Sequence, residues 1–208
     1  MEHQLQQAVS VLKNGGIVAY PTDTVYGLGA DAFNEDAVSQ VYRVKQRPRN
    51  QPLSILVSDK SDLAQLTDTL TESARLLAER FWPGGLTLVL RKTSSVPHWV
   101  TAGGETVAVR IPDHPVALDL IRSLGKPLIG TSANLSGLPG VTSAEEVRAQ
   151  LGNDIDFILD GGICSGGIES TVVDVTGKLA VILREGAVSR TAIAEISGIS
   201  SGEVNTNR

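Results

Sequence analysis

Leu5, Ala8, Val9 and Leu12 recur at intervals of three and four, which predicts a helix over residues 4–14. Gly15-Gly16 ends it, and Ile17 to Tyr20 is a short apolar strand stopped by Pro21. A polar loop, Thr22-Asp23-Thr24-Val25-Tyr26-Gly27-Leu28-Gly29, follows. Asn34 is placed to cap a second helix that carries Ala37, Val38, Val41 and Tyr42. Pro48 and Pro52 forbid its continuation, and Leu53 to Val57 is the next strand. Residues 61–82 read as helical, with Ser61 and Thr71 as caps, until Pro83-Gly84-Gly85 breaks the run. Strands are expected at Leu86 to Leu90, Thr106 to Ile111 and Leu128 to Thr131, with a helix over 115–124 closed by Gly125. Ser143-Ala144-Glu145-Glu146 is a capping box for a helix that ends at Gly152. Strands at 155–159, 171–175 and 179–183 follow, the last two joined by Thr176-Gly177-Lys178, and a final helix lies near 190–197. Strands and helices alternate through most of the chain, with strand pairs near the end, which argues an α/β fold on a mixed sheet. No internal repeat or Pro/Ser-rich linker divides it, so one domain is expected over 1–199, with a polar tail at 200–208.

Composition narrows the function classes. A chain of 208 residues can bury roughly 70% of the surface its unfolded form exposes, so it needs no staples. Eighteen Lys and Arg against 23 Asp and Glu give a net charge of -5, which excludes a generally basic nucleic-acid wrapper but leaves room for a local basic patch. One cysteine, Cys164, excludes a disulfide scaffold and a cysteine-rich metal site. His3, His98 and His114 are too scattered for a local zinc motif. No apolar run approaches 18 residues and Met1-Glu2-His3-Gln4 is no signal peptide, so the expectation is a cytoplasmic protein without a membrane partner.

The common nucleotide and hydrolase signatures are missing. Gly162 and Gly167 have P-loop spacing, but Ile168-Glu169 stands where Lys-Ser/Thr is needed. Gly27-Leu28-Gly29 lacks the third glycine of a dinucleotide fingerprint, and no Gly-x-Ser-x-Gly elbow exists. Instead, several strands end in polar or cationic clusters: Thr22 to Thr24, Arg110, Ser132 to Asn134, and Arg184-Glu185. Ligands in open α/β sheets sit at strand carboxyl ends. Arg forks bind carboxylates and phosphates bidentately, and Lys acts as a point charge. With no His or Cys in the clusters, such a site suits anion binding and phosphoryl or nucleotidyl transfer rather than attack by a side chain. Each cluster also has an ordinary reading. Arg43, Lys45, Arg47 and Arg49 suit a solvated helix end, Ser132 to Asn134 a loop, and Ser170-Thr171 a turn. Arg110, ending a buried strand, needs a partner in any case.

Taken in order, the clusters resemble the YrdC/TsaC family of threonylcarbamoyl-AMP synthases. The matching segments are Pro21 to Gly29, Lys45-Gln46-Arg47-Pro48 with Gln51-Pro52-Leu53, Trp82 to Thr87, Val107 to Pro112, Thr131 to Gly137, Glu169 to Asp174, and Ile182 to Gly186. They span about residues 5–190. The resemblance implies a twisted mixed sheet flanked by helices around a large concave cationic cavity. It implies synthesis of threonylcarbamoyl-adenylate from L-threonine, bicarbonate and ATP with release of pyrophosphate. Mg²⁺ would come with ATP, without a protein-ligated metal. Downstream, tRNA-modifying transferase proteins would move the group to tRNAs reading ANN codons. Threonine would contact Thr24, Arg110, Ser132 and Ser170. ATP would contact Lys45, Arg47, Gln51, Thr106, Asn134, Thr142 and Arg184, with Lys45 and Arg47 acting catalytically on the phosphates.

The chain departs from the family at two positions. Gln51 stands where many members have Asn, and Leu56 where many have a histidine near the threonine. Gln51 keeps amide chemistry on a longer stem, whereas Leu56 has no hydrogen bond to offer. The resemblance is to the short single-domain type. Two rival readings use the same fold. One is a binding module for double-stranded RNA or tRNA, without adenylating activity, through the 43–49 run. The other is an adenylating domain of hydrogenase maturation, which normally sits in a larger chain beside an acylphosphatase module and zinc fingers.

Overall fold

The computed structural model describes residues 1–197. Its first part comprises α1 (Glu2–Lys13), β1 (Val18–Tyr20), β2 (Gly27–Gly29), α2 (Glu35–Lys45), β3 (Ser54–Leu56), a 3-10 turn (Lys60–Gln65) and α3 (Glu72–Phe81). Then come β4 (Leu86–Arg91), α4 (His98–Thr101), β5 (Thr106–Arg110), α5 (Pro115–Leu124), β6 (Leu128–Ile129) and β7 (Thr131–Ser132). The chain continues through α6 (Ala144–Leu151), a 3-10 turn (Gly152–Asp154), β8 (Phe157–Ile158), β9 (Thr171–Asp174), β10 (Val181–Arg184) and α7 (Arg190–Ser197). The expected tail at 200–208 lies outside the described residues. Among the described residues, no helix is long and apolar enough to cross a membrane.

Where the sequence leads to one mixed sheet, the described residues form two. A six-stranded sheet runs β10-β9-β4-β5-β3-β6, and a four-stranded one runs β7-β2-β1-β8. Both are mixed: β4 pairs with β9 and β3 with β5 in parallel, and β1 with β8, while the other pairs are antiparallel. The stretch expected as one strand at 128–131 serves both. Leu128 and Ile129 pair with β3, Thr131 and Ser132 pair with β2, and Gly130 N donates to Ser54 O at 2.8 Å between them. A Cβ on Gly130 would overlap the Leu56 side chain, so only glycine lets the chain pass from one sheet to the other here.

Alternation along β1 sorts the core. Ala19 joins the larger core cluster, while Val18 and Tyr20 pack with Ala8, Leu12, Leu120 and Ile121 from α1 and α5. Three local expectations are corrected. The 22–29 loop contains β2, whose Gly27 and Gly29 lie so close to the Tyr20 ring that a Cβ would meet it at 2.8 and 2.7 Å. The 61–82 helix is split. Asp59, not Ser61, caps the 3-10 turn in a capping box with Asp62, and α3 starts afresh where Thr71 Oγ1 accepts from Ala74 N at 3.1 Å. α4 is four residues long, too short to leave a periodic signal.

Candidate active site

The inward face of the six-stranded sheet forms one wall of a cavity of about 870 Å³. Leu56, Ala108, Val89 and Val172 supply its apolar floor from four adjacent strands. The 20–27 segment and β7 of the smaller sheet supply the facing wall. Lys45, Arg47, Arg110 and Arg184 line it, and among the described residues Glu169 is the one carboxylate in its lining.

Arg110 ends β5 and is buried, at 6% exposure. Its guanidinium donates to Gly84 O (2.9 Å), Thr24 Oγ1 (3.0 Å) and Asp23 Oδ1 (2.5 Å). Three of its five N–H groups are thereby engaged within the protein, and the plane of the fork is fixed. Burial pulls the Arg110 pKa down, and the Asp23 carboxylate opposes that shift. Asp23 Oδ1 also accepts from Asp113 N at 3.0 Å, so the ion pair is anchored to the backbone after β5. Thr24 is set by Thr22, whose hydroxyl lies 3.0 Å from Thr24 Oγ1 and donates to Val25 O at 2.6 Å. Behind this loop, Gly167 N donates to Thr24 O, and the backbone of Gly166 approaches Asp23 and Thr24 too closely for any Cβ.

Ser170 precedes β9, and its Oγ lies 2.8 Å from Thr87 Oγ1 on β4. Arg184, at the end of β10, clamps this turn. It donates to Ser170 O (2.9 and 3.2 Å) and to Glu169 Oε2 (2.5 Å). Lys45 ends α2 and is 1% exposed. Its Nζ donates to Ser132 O (2.5 Å) and Asn134 O (2.7 Å). Burial and the neighbouring Arg47 push its pKa down to about 8, and Glu169 works the other way. Arg47 follows the left-handed Gln46 (φ 52°) and donates to Pro52 O at 2.9 Å, which closes the 47–52 loop on itself. The Arg47 pKa is also lowered, first by burial.

The cavity therefore gathers Thr24, Lys45, Arg47, Gln51, Arg110, Ser132, Asn134, Ser170 and Arg184 on one surface. Two of the expected contacts are not brought to its wall. Thr106 begins β5, four residues and roughly 13 Å from Arg110 along the strand. Thr142 directs its hydroxyl and its N–H to Glu146 Oε2, at 3.2 and 2.7 Å, beside the capping box of α6. Leu56 lines the floor and is 3% exposed, so the departure at that position replaces a polar contact with apolar surface.

Asp23, Glu169 and Thr87 were not singled out from the sequence. Each is legible only as the counterpart of another site residue: Asp23 lies 87 residues from Arg110, Thr87 lies 83 from Ser170, and Glu169 lies 15 from Arg184. The demand for such a counterpart was legible, because a buried Arg needs one.

The model of the Sua5/YciO/YrdC family, described as telomere recombination, matches residues 10–186. The chain belongs to this family. Within the Sua5/YciO/YrdC family, the threonylcarbamoyl-AMP synthase of Bacillus subtilis (strain 168) is 47% identical over 94% of this chain and 57% of its own length. That of Pyrococcus abyssi is 43% identical over 95% of this chain and 58% of its own length. The chain thus spans less than three fifths of these two relatives. The structure of P. abyssi Sua5 complexed with L-threonine matches 100% of this chain and 60% of that one, with a TM-score of 0.93 and 42% identity. Escherichia coli YciO matches 93% of this chain and 94% of its own, with a TM-score of 0.83 and 29% identity.

Proposed function

We propose that this chain forms threonylcarbamoyl-adenylate from L-threonine, bicarbonate and ATP, releasing pyrophosphate. One observation carries the reading: a single cavity joins a buried, oriented Arg110 among hydroxyls to Lys45, Arg47 and Arg184. The names of the relatives and the threonine-bound neighbour agree with it. A volume of about 870 Å³ is in the range for a small-molecule site.

Arg110 would take the threonine carboxylate through the N–H groups left free by Gly84, Thr24 and Asp23, with the hydroxyls of Thr24, Ser132 and Ser170 around the amino acid. Lys45, Arg47 and Arg184 would take the triphosphate, which brings its own Mg²⁺, and Gln51 and Asn134 would supply amide contacts to the nucleotide. The threonine amine bonds to the carbon of bicarbonate as a C–O bond breaks and water leaves, and the resulting carbamate supplies the attacking oxygen. Its bond to the α-phosphorus forms as the bond to the pyrophosphate oxygen breaks. The residues contribute alignment and charge stabilisation, which is where most catalysis of phosphoryl and nucleotidyl transfer comes from. Cys164 is buried, with its thiol pKa raised by that burial, so it offers no ready thiolate for a covalent acyl carrier. In the pathway this reading implies, tRNA-modifying transferases consume the product.

The test is to incubate the purified chain with ATP, bicarbonate and L-threonine, without tRNA or partner protein. Mass spectrometry should find the acyl-adenylate, with pyrophosphate released in equal amount. Pyrophosphate release that requires tRNA, or that proceeds equally in carbonate-free buffer, would sink the proposal.

A further inference from the structure

Lys45 carries a buried positive charge and makes no ion pair among the described residues. A buried ammonium held by neutral acceptors alone is costly, so its arrangement calls for an explanation. Two of its three N–H donors are engaged by main-chain carbonyls, Ser132 O at 2.5 Å and Asn134 O at 2.7 Å. A third bond links the same partners through the backbone: Ser136 N donates to Lys45 O at 2.9 Å. The C-terminus of α2 is thereby tied at three points to the segment from Ser132, the last residue of β7, to Ser136.

That segment carries groups from both halves of the proposed site. Ser132 belongs to the threonine set and Asn134 to the ATP set. The Asn134 amide is itself fixed, because Nδ2 donates to Leu135 O (2.9 Å) and Leu138 O (2.7 Å). This orientation leaves Asn134 Oδ1 as an acceptor, buried in the cavity wall without a partner among the described residues, and Ser136 Oγ is left in the same condition. Unpaired buried polar atoms are uncommon, and they are expected where a ligand completes them.

We infer that Lys45 is a positioning residue that braces the 132–136 backbone, so that the threonine and nucleotide halves of the cavity are set by one side chain, with one N–H left for an anion. The inference rests on the proposed function for the identity of the two ligands, but the brace itself can be tested without either. A lysine that served only as a phosphate contact would affect nucleotide binding alone. A brace affects both ligands and loosens the segment it holds.

The experiment compares Lys45→Met, which keeps length and packing, with Arg47→Ala, which removes a lining cation having no hydrogen bond to the segment. In the absence of ligand, amide hydrogen exchange over residues 131–138 should accelerate in Lys45→Met and stay as in the unaltered chain in Arg47→Ala. Calorimetry should show Lys45→Met weakening L-threonine and ATP separately, each by about 10-fold or more, because small misplacements of positioned groups are expensive. Arg47→Ala should weaken ATP and leave threonine within about twofold. If Lys45→Met does not fold, Lys45→Gln, which retains an N–H donor, replaces it, with faster exchange over 131–138 still expected. Unchanged exchange together with unchanged threonine affinity overturns the brace. If the unaltered chain binds neither ligand, the functional reading fails, and the exchange comparison still decides the brace.

Discussion

Arg110 is both a proposed ligand and one half of a buried ion pair, and the two roles predict different readouts. Loss of a charge-assisted bond to the threonine carboxylate should cost roughly 1.5–3 kcal/mol, about 10- to 150-fold in affinity. Arg110→Ala should show that loss by calorimetry, and Arg110→Lys should recover little of it, because an ammonium cannot reproduce the fork. Stability should fall too. Asp23 would be left as a carboxylate at 17% side-chain exposure without its cation, and breaking such a pair costs about 3–5 kcal/mol. Adding Asp23→Asn to Arg110→Ala should restore part of the stability in urea denaturation and none of the threonine binding. If both properties return together, Arg110 is structural only.

Lys45 gives the residue scale a pH signature. Its ordinary pKa of 10.5 applies to the unfolded chain, and the folded value is about 8. Below pH 8 both states hold the proton, and the folded state bears the full cost of burying it. Between about pH 8 and 10.5 the unfolded state binds more protons than the folded one, so stability from this group rises with pH. Denaturation at pH 7.5 and 9.5 should therefore show a smaller pH-driven gain in Lys45→Met than in the unaltered chain. An equal gain in both would mean that the folded Lys45 titrates normally.

Among the elements, those with strong local signals were legible from sequence. α2 begins where Asn34 Oδ1 accepts from Ala37 N at 3.1 Å, α5 ends at Gly125 with φ 73°, and α6 opens on its Ser143–Glu146 capping box. What sequence could not supply was pairing. β2, β6, β7 and β8 have two or three residues each, too few for an alternation pattern, and apart from the β1–β2 pair their pairings join segments distant in the chain. The division into two sheets turns on Gly130, whose requirement for glycine arises from Leu56, 74 positions away, and has no local trace. Gly130→Ala should thus destabilise by about 1–3 kcal/mol through overpacking. Combining it with Leu56→Ala should cost less than the two single changes added, because they share one contact. Additive losses in urea denaturation would show that the crowding is relieved elsewhere.

For the whole molecule, the cavity was legible as a list of parts and not as a shape. Nine of the expected residues share its surface, whereas Thr106 and Thr142, which flank the matching segments, do not line its wall. The reason is that a motif reports spacing along the chain, while a wall also depends on which strand end faces inward. The apolar floor carries a prediction about substrate choice. Leu56, Val89, Ala108 and Val172 offer surface to a methyl group and no hydrogen bond. Serine keeps the carboxylate and hydroxyl of threonine but lacks that methyl, worth about 1 kcal/mol or more in a fitted pocket. In competition at equal concentrations, threonine should be adenylated at least about fivefold faster than serine. Equal rates would place the methyl outside the cavity floor.

The passage of one short stretch of chain through both sheets also limits how this enclosure can deform. Two stacked layers that meet only through side chains can slide past one another. Here Ile129 and Thr131, two residues apart, are each woven into a different layer, and the glycine between them is hydrogen-bonded to Ser54. Sliding would tear ladder bonds on both sides of Gly130, and beside it the bonds from Ile129 N to Ala30 O and from Ala32 N to Pro127 O tie the 30–32 segment after β2 to the 127–129 stretch. The two layers are therefore stitched together by main chain along this edge, so the walls of the cavity share one backbone framework there instead of resting on side-chain contacts alone.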